Sequence, residues 1–188
     1  KQSFLSNSLL SNISTDKLTI IDDPLLQKGI SSYSFDGEGI IPYKKTIVEN
    51  GKLLLFLNNC YSAKKLNMKT TGNASRSLSS LPGITSGNIY IENGNIPEND
   101  LISDINKGIF ISSFFGSNVD LVSGNFSLGI TGFMIENGKK TFPVSEITMA
   151  CNLKELLLSL KEKADNLEIN NSISSPSLLI KNMTISGK

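Results

Sequence analysis

One short string occurs three times in this chain, and it constrains the fold more than any other feature. The copies are Val48-Glu49-Asn50-Gly51-Lys52, Ile91-Glu92-Asn93-Gly94-Asn95 and Ile135-Glu136-Asn137-Gly138-Lys139. A two-residue type I′ turn needs positive φ at both central positions, and Asn-Gly supplies it at low steric cost. Thr46-Ile47-Val48 and Leu53 to Leu57 flank the first copy; Gly132 to Ile135 and Lys140 to Val144 flank the third. Both predict β-hairpins. Ile96-Pro97-Glu98-Asn99-Asp100 follows the second copy and predicts a helix start, with Pro97 at the first helical position and acids in the first turn. The flanks do not match beyond the turn, so the chain is not a repeat array. Strands joined by hairpins pair antiparallel. The predicted fold class is therefore α+β and strand-dominated: a largely antiparallel sheet or barrel-like core with a few peripheral helices, in a single domain over 1–188.

Other elements follow from local pattern. Ser3 to Leu10 reads as a short helix, Leu18 to Ile21 as a buried strand stopped before Pro24, and Ile30 to Phe35 as a second strand. Asp36-Gly37-Glu38-Gly39 reads as a turn. Helices are predicted over Tyr61 to Leu66, Glu98 to Asn106 and Leu153 to Lys163. The last carries the stripe Leu153, Leu156, Leu157 and Leu160, a cap at Asn152 and basic residues at its C-terminal end. Ser177 to Ile180 and Met183 to Ile185 close the chain as strands. Lys69 to Asn88 is small, polar and glycine-rich, and a loop that long inside one domain is functional or disordered. Gly116 to Gly129 forms a second glycine-rich stretch.

Composition then excludes chemistries. There are 188 residues, no His, no Trp and two Cys. Without His there is no Ser-His-Asp or Cys-His machinery and no His-ligated zinc within the chain. Cys60 and Cys151 are too far apart for a C-x-x-C site and read as small buried hydrophobes. A net charge of +1 gives no whole-chain pull toward nucleic acid or anionic membrane. No apolar run reaches a membrane span, no signal peptide opens the chain, and sparse Cys points to a reducing cytoplasm. Lysine far outnumbers arginine, a skew that AT-rich bacterial codon usage explains.

Each remaining candidate has an ordinary alternative. Asp22-Asp23 and Asp36/Glu38 resemble paired carboxylates, but their spacing matches no calcium loop, and turn chemistry is the simpler reading. Gly72 and Gly83 to Gly87 lack the G-K-[ST] of a phosphate loop, and Gly37-x-Gly39 lacks the third glycine of a dinucleotide fingerprint. A Ser-Lys nucleophile pair would make the isolated chain active and indifferent to chelators. Arg76, the single arginine, grips a carboxylate or is an ordinary surface charge.

An ordered set of strings resembles one family. The strings are L-T-I-I-D-D-P-L-L (Leu18 to Leu26), S-F-D-G-E-G (Ser34 to Gly39), Y-S-A-K-K-L (Tyr61 to Leu66) and T-G-N-A-S-R (Thr71 to Arg76). They continue with V-S-G-N-F-S-L-G (Val122 to Gly129), F-M-I-E-N-G-K (Phe133 to Lys139), P-V-S-E-I-T-M-A-x-N-L (Pro143 to Leu153) and S-S-P-S-L-L-I (Ser174 to Ile180). Together they resemble the C-terminal domain of the TldD/PmbA family, and the P-V-S-E-I-T and S-A-K-K-L strings look like its PmbA (TldE) branch. The resemblance implies a fragment of a protein about twice this length.

It further implies a zinc-dependent peptidase of paired TldD/TldE-type subunits acting on unfolded peptides, with microcin maturation, antitoxin turnover and the older label modulator of DNA gyrase attached. The TldD branch carries H-E-x-x-x-H upstream of this domain and a cysteine near its end. Asn166 to Pro176 has no cysteine here, so the resemblance implies a non-catalytic subunit that holds no cofactor itself, with zinc in a TldD-like partner. A β-rich binding or assembly domain without proteolytic role is the alternative. The expected contacts with peptide or partner (a TldD-like subunit or a second copy) come from the two glycine-rich stretches: Asn73, Arg76, Ser86, Asn88, Asp120 and Asn125. Neither nucleic acid nor membrane is an expected partner.

Overall fold

The computed structural model describes residues 3–187. Chain order begins with β1 (Ile20–Asp23), β2 (Lys45–Glu49) and β3 (Lys52–Leu53), then α1 (Cys60–Leu66). A short hairpin of β4 (Ala74–Ser75) and β5 (Gly83–Ile84) precedes β6 (Asn88–Ile91) and α2 (Glu98–Ser103). Three long strands follow: β7 (Lys107–Val119), β8 (Asn125–Glu136) and β9 (Lys139–Asn152). The chain ends with α3 (Leu153–Leu158), β10 (Leu160–Lys163), β11 (Ile173–Ser174), β12 (Leu178–Ile180) and β13 (Thr184–Ser186).

Two open sheets carry the architecture, so of the two expected forms the sheet is the one found. One has the order β11-β6-β1-β2-β3 and the other β13-β9-β8-β7. Among the described residues, every pairing between these strands is antiparallel except that of β11 with β6, and an isolated parallel bridge joins Ile96 to Ala164. β10 and β12 form a small separate sheet, as do β4 and β5.

The hairpin chemistry explains both large sheets. Asn50 and Gly51 have φ 46° and 79°, and Asn137 and Gly138 have φ 49° and 75°. These are the left-handed pairs a type I′ turn requires. The first joins β2 to β3, although the partner strand is only Lys52–Leu53 rather than the predicted run to Leu57. The third joins β8 to β9 over a long register from Glu136↔Lys139 to Asn125↔Asn152. The middle copy makes no hairpin. Gly94 lies against the Lys163 backbone, its amide donates to Ala164 O at 2.8 Å, and α2 begins four residues later. Pro97 stands at its N-cap, one position before the expected one.

Each sheet has its own core. Ile13, Leu18, Val48, Leu53 and Leu160 pack together, with Ile20, Ile47, Phe56 and Leu157 against them. Phe126, Ile130, Ile147 and Met149 form the second cluster under the long sheet, backed by Leu153, Leu156, Met183 and Ile185. Full burial of each such side chain contributes about 1.5–3 kcal/mol.

Four local expectations are corrected. Ser3 to Leu10 forms isolated turns: the Ser6 and Ser8 amides bond three residues back, while Phe4 N reaches Leu121 O at 3.1 Å and Leu10 N reaches Leu53 O at 2.7 Å. Ile30 to Phe35 is irregular, because Ser31 and Tyr33 amides are taken by Asn88 Oδ1 and Pro24 O instead of a strand. The predicted helix Leu153 to Lys163 stops at Leu158. Ser159 closes it by donating to Glu155 O and Leu156 O, and Leu160 to Lys163 pair with β12. Leu160 is buried in the first cluster, so the stripe is split between two cores. Cys60 is exposed rather than buried, and Cys151 is half-buried.

Candidate functional site

A frame of buried polar side chains fixes the Thr71 to Asn88 segment to the first sheet. β1 ends in Asp22 and Asp23 because its neighbours there are polar groups that need acceptors. Asp22 is fully buried. Its Oδ1 accepts from Gly87 N at 2.7 Å, and its Oδ2 accepts from Asn73 Nδ2 at 2.9 Å and Lys45 Nζ at 3.1 Å. Asn73 Nδ2 also donates to Thr85 O at 2.9 Å, and Asn73 Oδ1 is buried with no hydrogen-bond donor among the described residues. Tyr33 OH donates to Gly72 O at 2.9 Å. Burial first, then the charges of Asp22 and Asp36, push its phenol up to about 12. It therefore stays a neutral donor at physiological pH.

Asp36 makes the second anchor. Its Oδ1 accepts from Glu38 N and Ile40 N at 2.9 Å each, and its Oδ2 accepts from Ala74 N at 3.0 Å. The turn reading of Asp36-Gly37-Glu38-Gly39 is correct, and the carboxylate also reaches a strand far along the chain. Asn58 and Thr71 lock the segment's start through reciprocal bonds, Asn58 N to Thr71 Oγ1 and Thr71 N to Asn58 Oδ1, both at 2.8 Å. Asn88 holds its end, donating to Asp23 O and Ser32 Oγ and accepting from Ser31 N. The segment read as one long loop is thus an ordered piece containing β4 and β5.

The residues singled out in the sequence divide into two groups on different sheets. Asn73 and Asn88 are fully buried parts of the frame, Ser86 is half-buried beside Gly87, and Arg76 is exposed just beyond β4. Asp120 and Asn125 sit at the exposed turn between β7 and β8. Asp120 accepts from Ser123 Oγ at 2.6 Å and from Val122 N at 2.9 Å, and these bonds, Ser123 first, lower its carboxyl pKa. Asn125 Oδ1 accepts from Asn152 Nδ2 at 2.9 Å.

A cavity that no sequence reading marked lies under the long sheet. It measures about 490 Å³ and is lined mainly by aliphatic and aromatic groups, among them Leu101, Ile105, Phe110, Phe114 and Leu179. Phe114 and Leu178 are exposed where they line it. Glu98 marks its polar side, accepting from Asn166 Nδ2 at 3.1 Å and from Ser177 Oγ, with Lys140 at 3.6 Å. The apolar spacing of α2 was the available signal; the contribution of residues 175–185 was not, since nothing local ties them to α2.

The donor set does not suit zinc. Among the described residues, no three of His, Cys, Asp and Glu come together to hold a metal ion. The Cys60 thiol is raised by its hydrogen bond to Glu38, and that of Cys151 by burial. Two S-x-x-K strings occur, Ser14 to Lys17 and Ser62 to Lys65. Ser14 Oγ donates to Leu157 O at 2.6 Å and Lys17 pairs with Glu162 at 2.7 Å. Ser62 belongs to the capping box of α1 with Asn59, and Lys65 lies in that helix's last turn. Neither string forms a Ser-Lys pair.

The fold and site define a strand-dominated domain with a buried polar frame and an apolar cavity, and among the described residues no metal-binding or nucleophilic set. Comparison places it. The PmbA/TldA metallopeptidase C-terminal domain matches residues 1–187. The chain belongs to that family. It is 34% identical over 187 residues to a metalloprotease PmbA homolog of Buchnera aphidicola, covering all of this chain and 40% of the relative. A metalloprotease TldD homolog of the same organism is 28% identical, with 98% of this chain and 42% of the relative covered. Two solved structures share the fold. A candidate modulator of DNA gyrase from Bacteroides thetaiotaomicron has TM-score 0.86 and 35% identity over all of this chain and 40% of its own. TldE from Thermococcus kodakarensis has TM-score 0.88 and 26% identity over 98% and 43%. The chain thus spans about two fifths of the length of the proteins it matches. No helix among the described residues is long and apolar enough to cross a membrane.

Proposed function

We propose that this is the C-terminal domain of a PmbA/TldE-like subunit whose TldD-like partner supplies the zinc of a peptidase acting on unfolded peptides. One observation carries the reading: Asn166 to Pro176, where the catalytic branch carries its cysteine, has none. Asn166 at the start of that stretch and Ser177 just beyond it both donate to Glu98. The higher identity to the PmbA homolog than to the TldD homolog supports the same branch. In this reading the domain shapes the peptide cleft and closes the chamber, in a cytoplasmic dimer. Peptide and microcin maturation, antitoxin turnover and the gyrase-modulator label belong to that assembly.

The test is co-purification with metal analysis. The parent protein alone binds no stoichiometric zinc, and an H-E-x-x-x-H partner brings both zinc and chelator-sensitive peptide cleavage to the mixture. Tight stoichiometric zinc in the parent protein alone overturns the non-catalytic assignment. Failure to associate with such a partner, with no cleavage by the mixture, favours a binding or assembly domain without proteolysis.

A further inference from the structure

The polypeptide enters this domain beside the turn that joins β7 to β8. Phe4 donates its amide to Leu121 O at 3.1 Å. Its ring lies against Gly124 in the same turn, where an added Cβ would meet Phe4 Cγ at 3.2 Å. The next residue, Leu5, packs against the first core cluster. The point of entry is thus fastened to both halves of the domain.

That turn presents more apolar surface than a turn requires. Leu121 and Val122 are 63% and 62% exposed, and Val119 is 39% exposed. Beside them lies an open recess of about 480 Å³, lined by Asn118, Val119, Asp120, Asn125, Phe126 and Ser127. Turns ordinarily present Gly, Asn, Asp and Ser, and a grouped apolar surface marks a contact. Two polar side chains of the recess are already committed, Asp120 to Ser123 and Val122, and Asn125 to Asn152. The surface left for an occupant is mainly apolar.

Reach decides which occupant. The matching family domain is a C-terminal one, and this chain covers 40% of a relative's length. In the parent protein the upstream polypeptide therefore arrives through Ser3, next to the residue that bonds Leu121. A chain advances at most about 3.3–3.6 Å per residue, so the stretch just upstream lies within a few residues of the exposed side chains. Tethered there, it meets them at an effective concentration on the order of millimolar, ahead of any free partner.

We propose that the stretch of the parent chain immediately upstream of this domain folds back over the β7–β8 turn and seats apolar side chains on Val119, Leu121 and Val122. This rests on the reading of the chain as the C-terminal domain of a longer subunit, and it needs no peptidase activity.

Two measurements on the parent protein, at a dilution where it is monomeric, test this. Leu121 is solvent-exposed in the domain itself, so replacing it opens no core. A photoreactive p-benzoylphenylalanine at position 121 is expected to crosslink, within one chain, to the stretch upstream of Lys1, read by mass spectrometry of the digest. In an otherwise cysteine-free parent, Leu121→Cys is expected to react with a small thiol reagent about tenfold or more slowly in the native protein than in urea. Val122→Cys is the second reporter and is expected to behave alike. Crosslinks confined to residues 3–187, or labelling as fast as in urea, overturn the proposal. So does protection that appears only at high concentration, which assigns the patch to a second copy, or only on adding the H-E-x-x-x-H subunit, which assigns it to that chain. Zinc-dependent cleavage by the untouched pair is measured separately, and its absence counts against the peptidase reading alone.

Discussion

Asp22 Oδ2 and Lys45 Nζ lie 3.1 Å apart with their side chains 0% and 1% exposed, on neighbouring antiparallel strands directly opposite each other. An ion pair withdrawn so completely from water is retained at a desolvation cost, and its value shows when one partner is lost. Asp22 is also the acceptor for the Gly87 amide and the Asn73 side chain, so one carboxylate neutralises a buried cation and ties down the Thr71 to Asn88 segment.

Asp22→Ala is therefore expected to destabilise the domain by about 3–5 kcal/mol, measured by urea denaturation. Lys45→Met paired with Asp22→Leu recovers only part of this. The double change removes the unpaired charge but leaves the Gly87 and Asn73 donors without their acceptor. Full recovery in the double variant would show that the ion pair alone matters.

Stability should fall as pH rises from about 10 to about 12. Tyr33 is pushed up to about 12 from an ordinary 10, so over that interval the unfolded chain loses a proton that the folded chain keeps. The stabilisation is complete below pH 10 and disappears as the folded phenol ionises. Tyr33→Phe removes this part of the slope. Denaturant midpoints at pH 9.5 and 11.5 for both proteins check it.

Cys60 is exposed yet predicted to react slowly. Glu38 holds its thiol above the usual range through a hydrogen bond, and Glu38 Oε2 also accepts from Cys60 N at 2.7 Å. The nucleophile is the thiolate, so raising the pKa lowers the rate at neutral pH. Glu38→Gln should accelerate labelling by a charged or neutral disulfide reagent and shift the pH–rate midpoint downward. An unchanged profile contradicts this role for Glu38.

Gly138→Ala should cost more than the roughly 1–2 kcal/mol of a left-handed alanine. Its φ is 75°, and an added Cβ would meet Ser103 O at 2.6 Å. The clash pushes the β8–β9 turn away from the end of α2. A thermal melt of the single variant measures the loss.

The hairpins at Asn50-Gly51 and Asn137-Gly138 were legible because backbone geometry at two residues decides them. The strand-rich antiparallel class followed directly. Leu153 to Lys163 was misread because its period suits a helix, whereas Leu160 is claimed by a core on another sheet and Lys163 by β12. Asp36 could be read as a turn residue, but its bond to Ala74, and that of Asp22 to Gly87, link positions no local pattern connects. The cavity was illegible for the same reason.

Those distant bonds have a kinetic consequence. Asp22 meets Gly87 across 65 positions, Ser14 meets Leu157 across 143, and Thr15 meets Leu160 across 145. Such closures must be made before their reward is collected, and chains that depend on them fold slowly. The β8–β9 hairpin can form early from its own turn. The polar frame cannot assemble until the first sheet has brought both ends of the chain together. The Thr71 to Asn88 segment takes its anchors from Asp22, Asp36 and Asn58, so its geometry belongs to the assembled sheet rather than to its own sequence.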